Sequence, residues 1–378
     1  MFFRDIVGQE AIIRQLTANV NANRISHAQL FLGSEGSGHL PLALALSTYI
    51  HCKNKGEHDA CGVCPSCLKM KKLEHPDLHF FFPVSTNQEH KKDPVSSLFY
   101  PQWRTRVLEN PYFSYNEWLA AIGIENKQAL INADDCNAII RVLGLKSFES
   151  RYKIVIIYMV EKLYHAAAPK LLKILEEPPE NTLFLMVSEN KDMILNTILS
   201  RTQILKVPRP DDQAIVHMLV NRFQVDNESA RHMADLAAGN ICDALKLVSS
   251  DTDPYEHFEQ FRSWMRLCFR KDTPNLLVWV EASSRFGREK LKSFLGYGLR
   301  VVRLCLVRNY GVADMLTLQQ EEKKFIDGLS PFVHHANTLT MASLFEQAIF
   351  HVERNANPKI LLADLSFQIA KLLKPFQS

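Results

Sequence analysis

One stretch of the sequence decides the fold: Ala28-Gln29-Leu30-Phe31-Leu32-Gly33-Ser34-Glu35-Gly36-Ser37-Gly38-His39-Leu40. Its first five residues are mostly apolar and predict a buried strand, and a helix is predicted from about residue 39 to 52. The glycines Gly33, Gly36 and Gly38 lie between the two elements. A strand, a glycine-rich loop and a helix in this order are typical of a phosphate-binding unit. The alternative is a glycine-rich turn unrelated to nucleotide binding.

The same alternation resumes further along the chain. Residues 153–157, 182–187 and 203–207 read as strands, and helical patterns lie between them. Alternation of this kind implies a mostly parallel sheet with helices on both faces. The fold class predicted for residues 1–208 is therefore an α/β P-loop domain.

Two composition breaks divide the rest of the chain. Pro208 and Pro210 end the alternation, and the segment 209–251 carries three short helical patterns. Beyond the linker Asp251-Thr252-Asp253-Pro254, apolar residues recur only at helical spacing. We therefore predict a small helical lid domain over 209–251 and an all-α domain over 252–378.

Composition limits the class of protein. The 378 residues are 47% hydrophobic and 22% charged, as in ordinary globular proteins, and no apolar run reaches the length of a membrane span. The beginning of the chain, Met1-Phe2-Phe3-Arg4-Asp5, lacks the apolar stretch of a signal peptide, which predicts a cytoplasmic location. The net charge of +3 is too small to indicate nucleic-acid binding by itself.

The phosphate loop departs from the working pattern G-x-x-x-x-G-K-[ST]. In that pattern backbone amides hold the phosphates, the lysine neutralises their charge and the hydroxyl binds magnesium. Here His39 replaces the lysine and Leu40 replaces the hydroxyl residue. Backbone amides at the start of the helix would at most hold a phosphate weakly.

A second position points the same way. In an ATPase the strand 153–157 would end in an Asp-Glu pair that holds magnesium and polarises the attacking water. The sequence instead continues with Tyr158 and Met159, neither of which is a carboxylate. No ATP hydrolysis by this chain is therefore expected.

Four of the eight cysteines are clustered with metal-binding spacing. They are Cys52, Cys61, Cys64 and Cys67, so two C-x2-C steps follow a more distant first cysteine. Four thiolates around one ion leave no open position, which predicts a structural Zn²⁺ in a module over 52–67. The alternatives are free thiols, or His51 or His58 as stand-in ligands. The other four cysteines lie among apolar residues and are predicted to be core thiols: Cys136, Cys242, Cys268 and Cys305.

An aromatic segment interrupts the alternation over residues 83–130. Its aromatic side chains, together with Arg104, Arg106, Lys91 and Lys92, have the composition of a surface that stacks on single-stranded nucleic acid. The favoured interpretation is that the aromatic residues pack against the main domain.

Several segments resemble one known family, the bacterial DNA polymerase III clamp-loader subunits, which are AAA+ proteins. The resemblance lies between residues 1 and 207, apart from the aromatic segment. The matching segments, besides the four cysteines, are Val7-Gly8-Gln9-Glu10, Ser26-His27-Ala28, His75-Pro76-Asp77-Leu78, Leu175-Glu176-Glu177-Pro178-Pro179, Asn181-Thr182 and Ser200-Arg201-Thr202. The gamma and tau subunits of that family keep the P-loop lysine and the Asp-Glu pair, whereas delta-prime carries a damaged site, so the substitutions favour delta-prime.

The resemblance also implies a role for Arg201. It matches the arginine of the family's Ser-Arg-Cys motif, which reaches across the subunit interface to the ATP of a neighbour; Thr202 replaces the cysteine. Such an arginine finger raises the rate by about 10³–10⁵ where it has been tested. The alternative is a surface arginine that pairs with a nearby acid. Cys242 stands where the catalytic subunits have a further, nucleotide-sensing arginine in the lid domain.

The implied function is that of a non-hydrolysing subunit in the loader of the sliding clamp. Its implied partners are the gamma/tau and delta subunits, the clamp indirectly or weakly, and primer-template DNA through the complex. The helical domain over 252–378 would join the oligomerisation collar. The competing functions are an active gamma/tau-like ATPase and a zinc protein that binds nucleic acid. The role of 83–130 and any direct DNA contact stay open.

Overall fold

The predicted parallel sheet is present in the computed structural model, which describes residues 1–124, 127–164, 168–249, 254–310, 320–354 and 356–374 and contains five strands within them. The strands are β1 (Ala28–Leu32), β2 (Leu78–Phe81), β3 (Lys153–Tyr158), β4 (Thr182–Ser188) and β5 (Gln203–Lys206). Their order across the sheet is β2-β3-β4-β1-β5, and every neighbouring pair is parallel. The α/β fold class predicted from the sequence is confirmed.

The sheet is buried on both faces, as a parallel sheet with helices on both sides must be. Successive side chains of a strand point to opposite faces. In β3, accordingly, Ile154, Ile156 and Tyr158 belong to one core, and Val155 and Ile157 belong to the other. All six residues of β3 are buried, so the strand reads as a continuous apolar run.

Helices fill both layers around the sheet. The core that contains Ile154 also takes residues from the first three helices, and the core that contains Val155 takes residues from the sixth to the eighth. The helices are α1 (Glu10–Asn21), α2 (His39–His51), α3 (Pro65–Lys71), α4 (Tyr100–Glu109), α5 (Tyr115–Ala121), α6 (Ala133–Gly144), α7 (Ala168–Glu176), α8 (Asn196–Leu199) and α9 (Asp212–Phe223).

The aromatic segment over 83–130 packs into the first of these cores. Trp103 stacks on Phe82 with ring centroids 4.4 Å apart, and Trp118 meets the same ring edge-on at 4.9 Å. The Trp118 indole N–H donates to the Pro83 carbonyl at 2.9 Å. Both tryptophans are fully buried. The packing interpretation is therefore confirmed, because these rings are not accessible for stacking on nucleic-acid bases.

The chain forms two compact units. The first contains residues 1–225 and 237–245, and the second contains 226–236 and 246–378. The boundaries between the units fall at or within two helices, α10 (Asn227–Ala237) and α11 (Ile241–Ser249). The division into domains 1–208, 209–251 and 252–378 stays a prediction.

Helices are the only regular secondary structure among the described residues of the second unit. Besides parts of α10 and α11, its helices are α12 (Pro254–Arg270), α13 (Thr273–Ser283), α14 (Arg288–Asn309), α15 (Gln320–Leu329), α16 (Thr338–Glu353) and α17 (Pro358–Leu372). A Cβ on Gly298 would lie 2.3 Å from Phe345, so this glycine lets α14 approach α16 closely. The buried Trp264 donates its indole N–H to the Ser366 hydroxyl at 2.8 Å.

One buried ion pair lies inside this unit. Arg300 donates to Glu322 at 2.7 Å and contacts Asp235, and the Tyr297 hydroxyl donates to Glu322 at 2.7 Å. Because the Glu322 carboxylate is almost fully buried, loss of Arg300 would leave its charge unpaired.

Among the described helices, none is long and apolar enough to cross a membrane.

Candidate functional site

The glycine-rich loop has the predicted place between β1 and α2. It begins where β1 ends, and the Gly33 N–H donates to the Ser188 carbonyl at the end of β4, at 3.1 Å. Gly36 and Gly38 have φ angles of 74° and 91°, which glycine adopts without strain. Helix α2 then begins at His39. The sequence therefore identified the strand, loop and helix of this unit correctly.

Two side chains from distant parts of the chain pack directly on this loop. The Ile241 N–H donates to the Gly36 carbonyl at 3.2 Å, and a Cβ on Gly36 would lie 1.8 Å from the side-chain oxygen of Asn240. A Cβ on Gly38 would lie 3.2 Å from the ring of Tyr112, whose hydroxyl oxygen accepts the Val7 N–H at 3.0 Å. Asn240 and Tyr112 thus cover the loop.

Substitution of Gly36 tests how tightly Asn240 and its neighbour cover the loop. Gly36→Ala should destabilise the protein by roughly 2–5 kcal/mol for two reasons. The alanine backbone would have to adopt a left-handed φ, and its Cβ would lie 2.7 Å from the Ile241 nitrogen. The matched control is Gly123→Ala. Gly123 also has a positive φ, of 67°, but nothing lies within 4 Å of the added Cβ. Urea unfolding of both variants separates the two effects; equal losses of stability would mean that the loop is not covered.

His39 does not supply the charge of the missing lysine. The residue is 5% exposed, its Nδ1 lies 3.0 Å from the Ser37 hydroxyl, and its Nε2 lies 3.8 Å from the Glu189 carboxylate. Burial lowers the pKa of His39 to about 4, so the ring is neutral at pH 7. Leu40 is buried as well and has no oxygen for a metal.

The residues at the end of β3 are buried, as His39 and Leu40 are. The Tyr158 ring packs 5.2 Å from Trp103 and 5.7 Å from Phe113, and burial raises the pKa of its hydroxyl. Met159 has a left-handed φ of 55° and is also buried. Neither residue offers a carboxylate for magnesium.

Two acidic residues that were not predicted as site residues lie where β3 and β4 end. Glu161 follows β3, and its carboxylate accepts the N–H of Glu189, which follows β4, at 2.9 Å. Burial raises the pKa of both carboxyl groups, for Glu189 to about 8. Their proximity could have been predicted from the sequence, because the carboxyl ends of neighbouring parallel strands lie at the same edge of a sheet, here called the carboxyl edge.

Arg201 lies at the opposite edge of the sheet from the glycine-rich loop. It comes two residues before β5, which runs parallel to β1, whereas Gly33 follows β1. Four strand residues span about 13 Å. The Arg201 guanidinium is therefore remote from the glycine-rich loop of its own chain.

Arg201 has partners at this edge. Its Nε donates to Glu176 at 2.7 Å, and one terminal nitrogen donates to the Thr197 carbonyl at 2.9 Å and to the Ser200 hydroxyl at 3.1 Å. About a third of the arginine side chain and half of the glutamate side chain are exposed. This is the surface ion pair that the alternative interpretation expected, and exposed pairs of this kind contribute only about 0–1 kcal/mol.

The four clustered cysteines are brought together. Their sulfur atoms all lie within 4.8 Å of one another, and three of the separations are 3.5, 4.0 and 3.9 Å. Zn–S bonds of about 2.3 Å predict tetrahedral S···S edges of about 3.8 Å. The chain reaches this arrangement because Cys52 immediately follows α2, Cys64 immediately precedes α3, and Cys67 lies within α3. These four residues can hold a metal ion.

Backbone hydrogen bonds favour the thiolate form at Cys61, whereas burial raises the pKa of the Cys52 and Cys67 thiols. The Cys61 N–H donates to the Cys52 sulfur and the Cys64 N–H donates to the Cys61 sulfur, both at 3.3 Å. Hydrogen bonds from the Val63 and Cys64 backbone lower the pKa of the Cys61 thiol to about 6. The possible stand-ins are not in the cluster, since His51 bonds to the Ser150 hydroxyl and His58 is exposed.

Comparison with known proteins places the sequence among clamp-loader subunits. A family model described as "DNA polymerase III, delta subunit" matches residues 8–211. DNA polymerase III subunit delta' of Bacillus subtilis (strain 168) is 27% identical over 246 residues, which cover 64% of this chain and 60% of that protein. Subunit delta' of Escherichia coli (strain K12) is 22% identical over 368 residues, which cover 96% of this chain and 94% of that one.

A tau subunit is similar too. DNA polymerase III subunit tau of Escherichia coli (strain K12) is 26% identical over 252 residues, which cover 65% of this chain and 32% of that protein. The matches to the Bacillus delta' and to tau thus span less than two thirds of those relatives' lengths. Identity alone does not separate the two kinds of subunit.

Proposed function

We propose that this chain, which belongs to the DNA polymerase III, delta subunit family of AAA+ clamp-loader proteins, acts as a delta-prime subunit that does not hydrolyse ATP. It would join gamma/tau and delta subunits in the cytoplasm and support the loading of a sliding clamp onto primed DNA. Its own chemical contribution would be Arg201, offered to the ATP site of a neighbouring subunit.

The observation that carries this proposal is the contrast between the two edges of the sheet. At the carboxyl edge, the positions of the lysine, the hydroxyl and the two acids are taken by His39, Leu40, Tyr158 and Met159, and the loop is covered by the chain's own residues. At the amino edge, Arg201 is partly exposed and is held by a surface ion pair with Glu176 and by hydrogen bonds to Thr197 and Ser200. A guanidinium in that position is available to a phosphate of another subunit, because it forms bidentate bonds with phosphate as readily as with carboxylate.

The isolated chain should bind magnesium-ATP weakly or not at all. The lysine and the carboxylates that neutralise the phosphates and hold the metal are replaced by neutral groups. Equilibrium dialysis with labelled ATP, with and without magnesium, measures this, and a gamma or tau subunit provides the positive control. Tight, magnesium-dependent binding by this chain would instead favour an active gamma/tau-like ATPase.

Assembly is the direct test of the proposed function. The chain should form a stable complex when it is mixed with the gamma/tau and delta subunits of its host, as measured by size-exclusion chromatography with light scattering. The third candidate, a zinc protein that binds nucleic acid, requires salt-dependent DNA binding by the isolated chain instead. Failure to assemble, together with such binding, would overturn the proposal.

The clustered cysteines would hold a structural zinc ion in this protein. Four sulfur ligands at nearly tetrahedral spacing fit Zn²⁺ and leave no position for a reacting water. When bound, the ion would fix the module over 52–67 to the end of α2. That module also holds the beginning of the chain, since Asp59 accepts the Phe3 N–H at 3.1 Å and the Arg4 N–H at 3.2 Å.

A further inference from the structure

A cation-lined cavity of about 220 Å3 lies beside the cysteine cluster. Its lining comes from the end of α2 and residues 52–55, from residues 149–152 before β3, and from the segment between α1 and β1. Because β1 and β3 both begin here, the cavity lies at the amino edge of the sheet. It is therefore separate from the glycine-rich loop, which lies at the carboxyl edge.

The lining has an excess of positive charge. It contains Lys53, Lys55 and Arg151, and none of the three has a carboxylate partner among the residues that the structure describes. Glu149 is the one carboxylate in the lining, and it forms an ion pair with Lys69 at 2.6 Å. The partial negative charge at the end of α2 offsets only about half an elementary charge. Most of the positive charge in the cavity is thus unbalanced.

Polar groups of the lining add hydrogen-bonding capacity. His51 is 3% exposed, its Nδ1 lies 2.7 Å from the Ser150 hydroxyl, and its Nε2 has no hydrogen-bond partner among the described residues. Asn23 and Tyr152 complete this side, with the Tyr152 hydroxyl donating to the Asn23 oxygen at 3.3 Å. The Nε2 atom has almost no accessible surface, so the polar groups offered to the cavity on this side are the Ser150 hydroxyl, Asn23 and Tyr152.

We propose that this cavity binds a phosphate group. One guanidinium and two ammonium groups match a compact, multiply charged anion, and arginine favours the fork geometry of phosphate oxygens. The volume is below the roughly 300–1,000 Å3 of sites for drug-sized molecules, so it suits a phosphate or pyrophosphate rather than a whole dinucleotide. The phosphate can come from a free ion or from a nucleic-acid strand.

The thiolates of the cysteine cluster would also attract the cavity cations. Four thiolates and one divalent ion carry a net negative charge, and Cys52 belongs to the cluster and also lines the cavity. The Arg4 guanidinium, however, lies beside Gly62 between two of the cysteines and does not line the cavity. Its charge is shared between the thiolates and Asp59, whose carboxylate lies 3.6 Å away. Lys53, Lys55 and Arg151, in contrast, line the cavity and have no carboxylate partner among the described residues.

The test compares two double variants of the full chain. Lys53→Gln/Arg151→Gln removes two cavity cations, and Lys91→Gln/Lys92→Gln removes two exposed lysines that do not line the cavity. Pyrophosphate binding is measured by calorimetry in a low-salt chloride buffer. We expect the cavity variant to lose roughly tenfold or more in affinity and the control to change less than about twofold. Circular dichroism and bound-metal content are measured alongside.

A second arm identifies the source of the phosphate. A short single-stranded oligonucleotide that competes with pyrophosphate points to a strand phosphate, and one that does not compete points to a free anion; both results support the site. The proposal is overturned if the wild-type chain does not bind pyrophosphate, or if the two double variants lose affinity equally. Loss of bound metal in the cavity variant, with pyrophosphate binding unchanged, would overturn it too, since the lysines would then serve the thiolates.

Discussion

Replacing Arg201 with alanine is expected to lower ATP hydrolysis about 10³-fold or more at the one neighbouring site that it serves, while the complex still assembles. The guanidinium would stabilise negative charge that develops on the transferring phosphoryl group, and alanine has no group to replace it. Assembly should persist because Arg201 contributes only a surface ion pair and two exposed hydrogen bonds to its own chain.

The measurement is single-turnover ATP hydrolysis by the reconstituted complex in the presence of clamp and primed DNA. Arg201→Lys should also be defective, because an ammonium group lacks the planar fork of the guanidinium. Arg14→Ala, at an exposed position of α1, is the neutral control. An unchanged rate in Arg201→Ala would remove the finger assignment.

Glu176 separates the finger from the alternative interpretation of Arg201 as a structural residue. Glu176→Gln weakens the ion pair but leaves the guanidinium in place. If Arg201 acts on a neighbour's ATP, Glu176→Gln should change the rate far less than Arg201→Ala does. If both variants lose activity equally, the pair has a structural role.

Loss of one clustered cysteine is expected to have the largest effect on stability. Cys61→Ser should abolish stoichiometric zinc binding and destabilise the protein by several kcal/mol, because structural zinc contributes about 10–16 kcal/mol to small zinc modules at pH 7. The buried Phe2 and Phe3 should become exposed with the module, because Asp59 would no longer hold the beginning of the chain.

Metal content by mass spectrometry and denaturant unfolding measure these effects. The control is Cys136→Ala, which removes a buried thiol outside the cluster and should keep the metal. Incubation of the wild-type chain with a strong chelator should reproduce the Cys61→Ser result. A Cys61→Ser protein with full zinc content and wild-type stability would contradict the assignment.

The sequence was most informative where local pattern decides structure. The apolar run before Gly33 and the glycines after it predicted the strand, loop and helix, since both elements depend on residues close in the chain. The spacing of Cys61, Cys64 and Cys67 predicted a cluster for the same reason. The aromatic segment was harder, because Trp103 and Trp118 have the composition of either a core or a stacking surface, and only their packing on Phe82 decides between them.

By itself, the sequence determined which chemical groups of a working phosphate loop are missing at the glycine-rich loop and at the end of β3. His39, Leu40, Tyr158 and Met159 can be read directly, because a side chain's capacity to carry charge or bind metal depends on its type. The same holds for the presence of Arg201 and of four clustered thiols.

Only the tertiary structure decided what surrounds these residues. Asn240 covers Gly36 from about 200 positions away along the chain, Glu176 pairs with Arg201, and Lys53 and Arg151 line one cavity. Neither local periodicity nor spacing encodes such contacts between residues distant in the sequence. They arise because parallel strands bring the ends of separate segments to a common edge, and burial there then sets partners, charge and pKa.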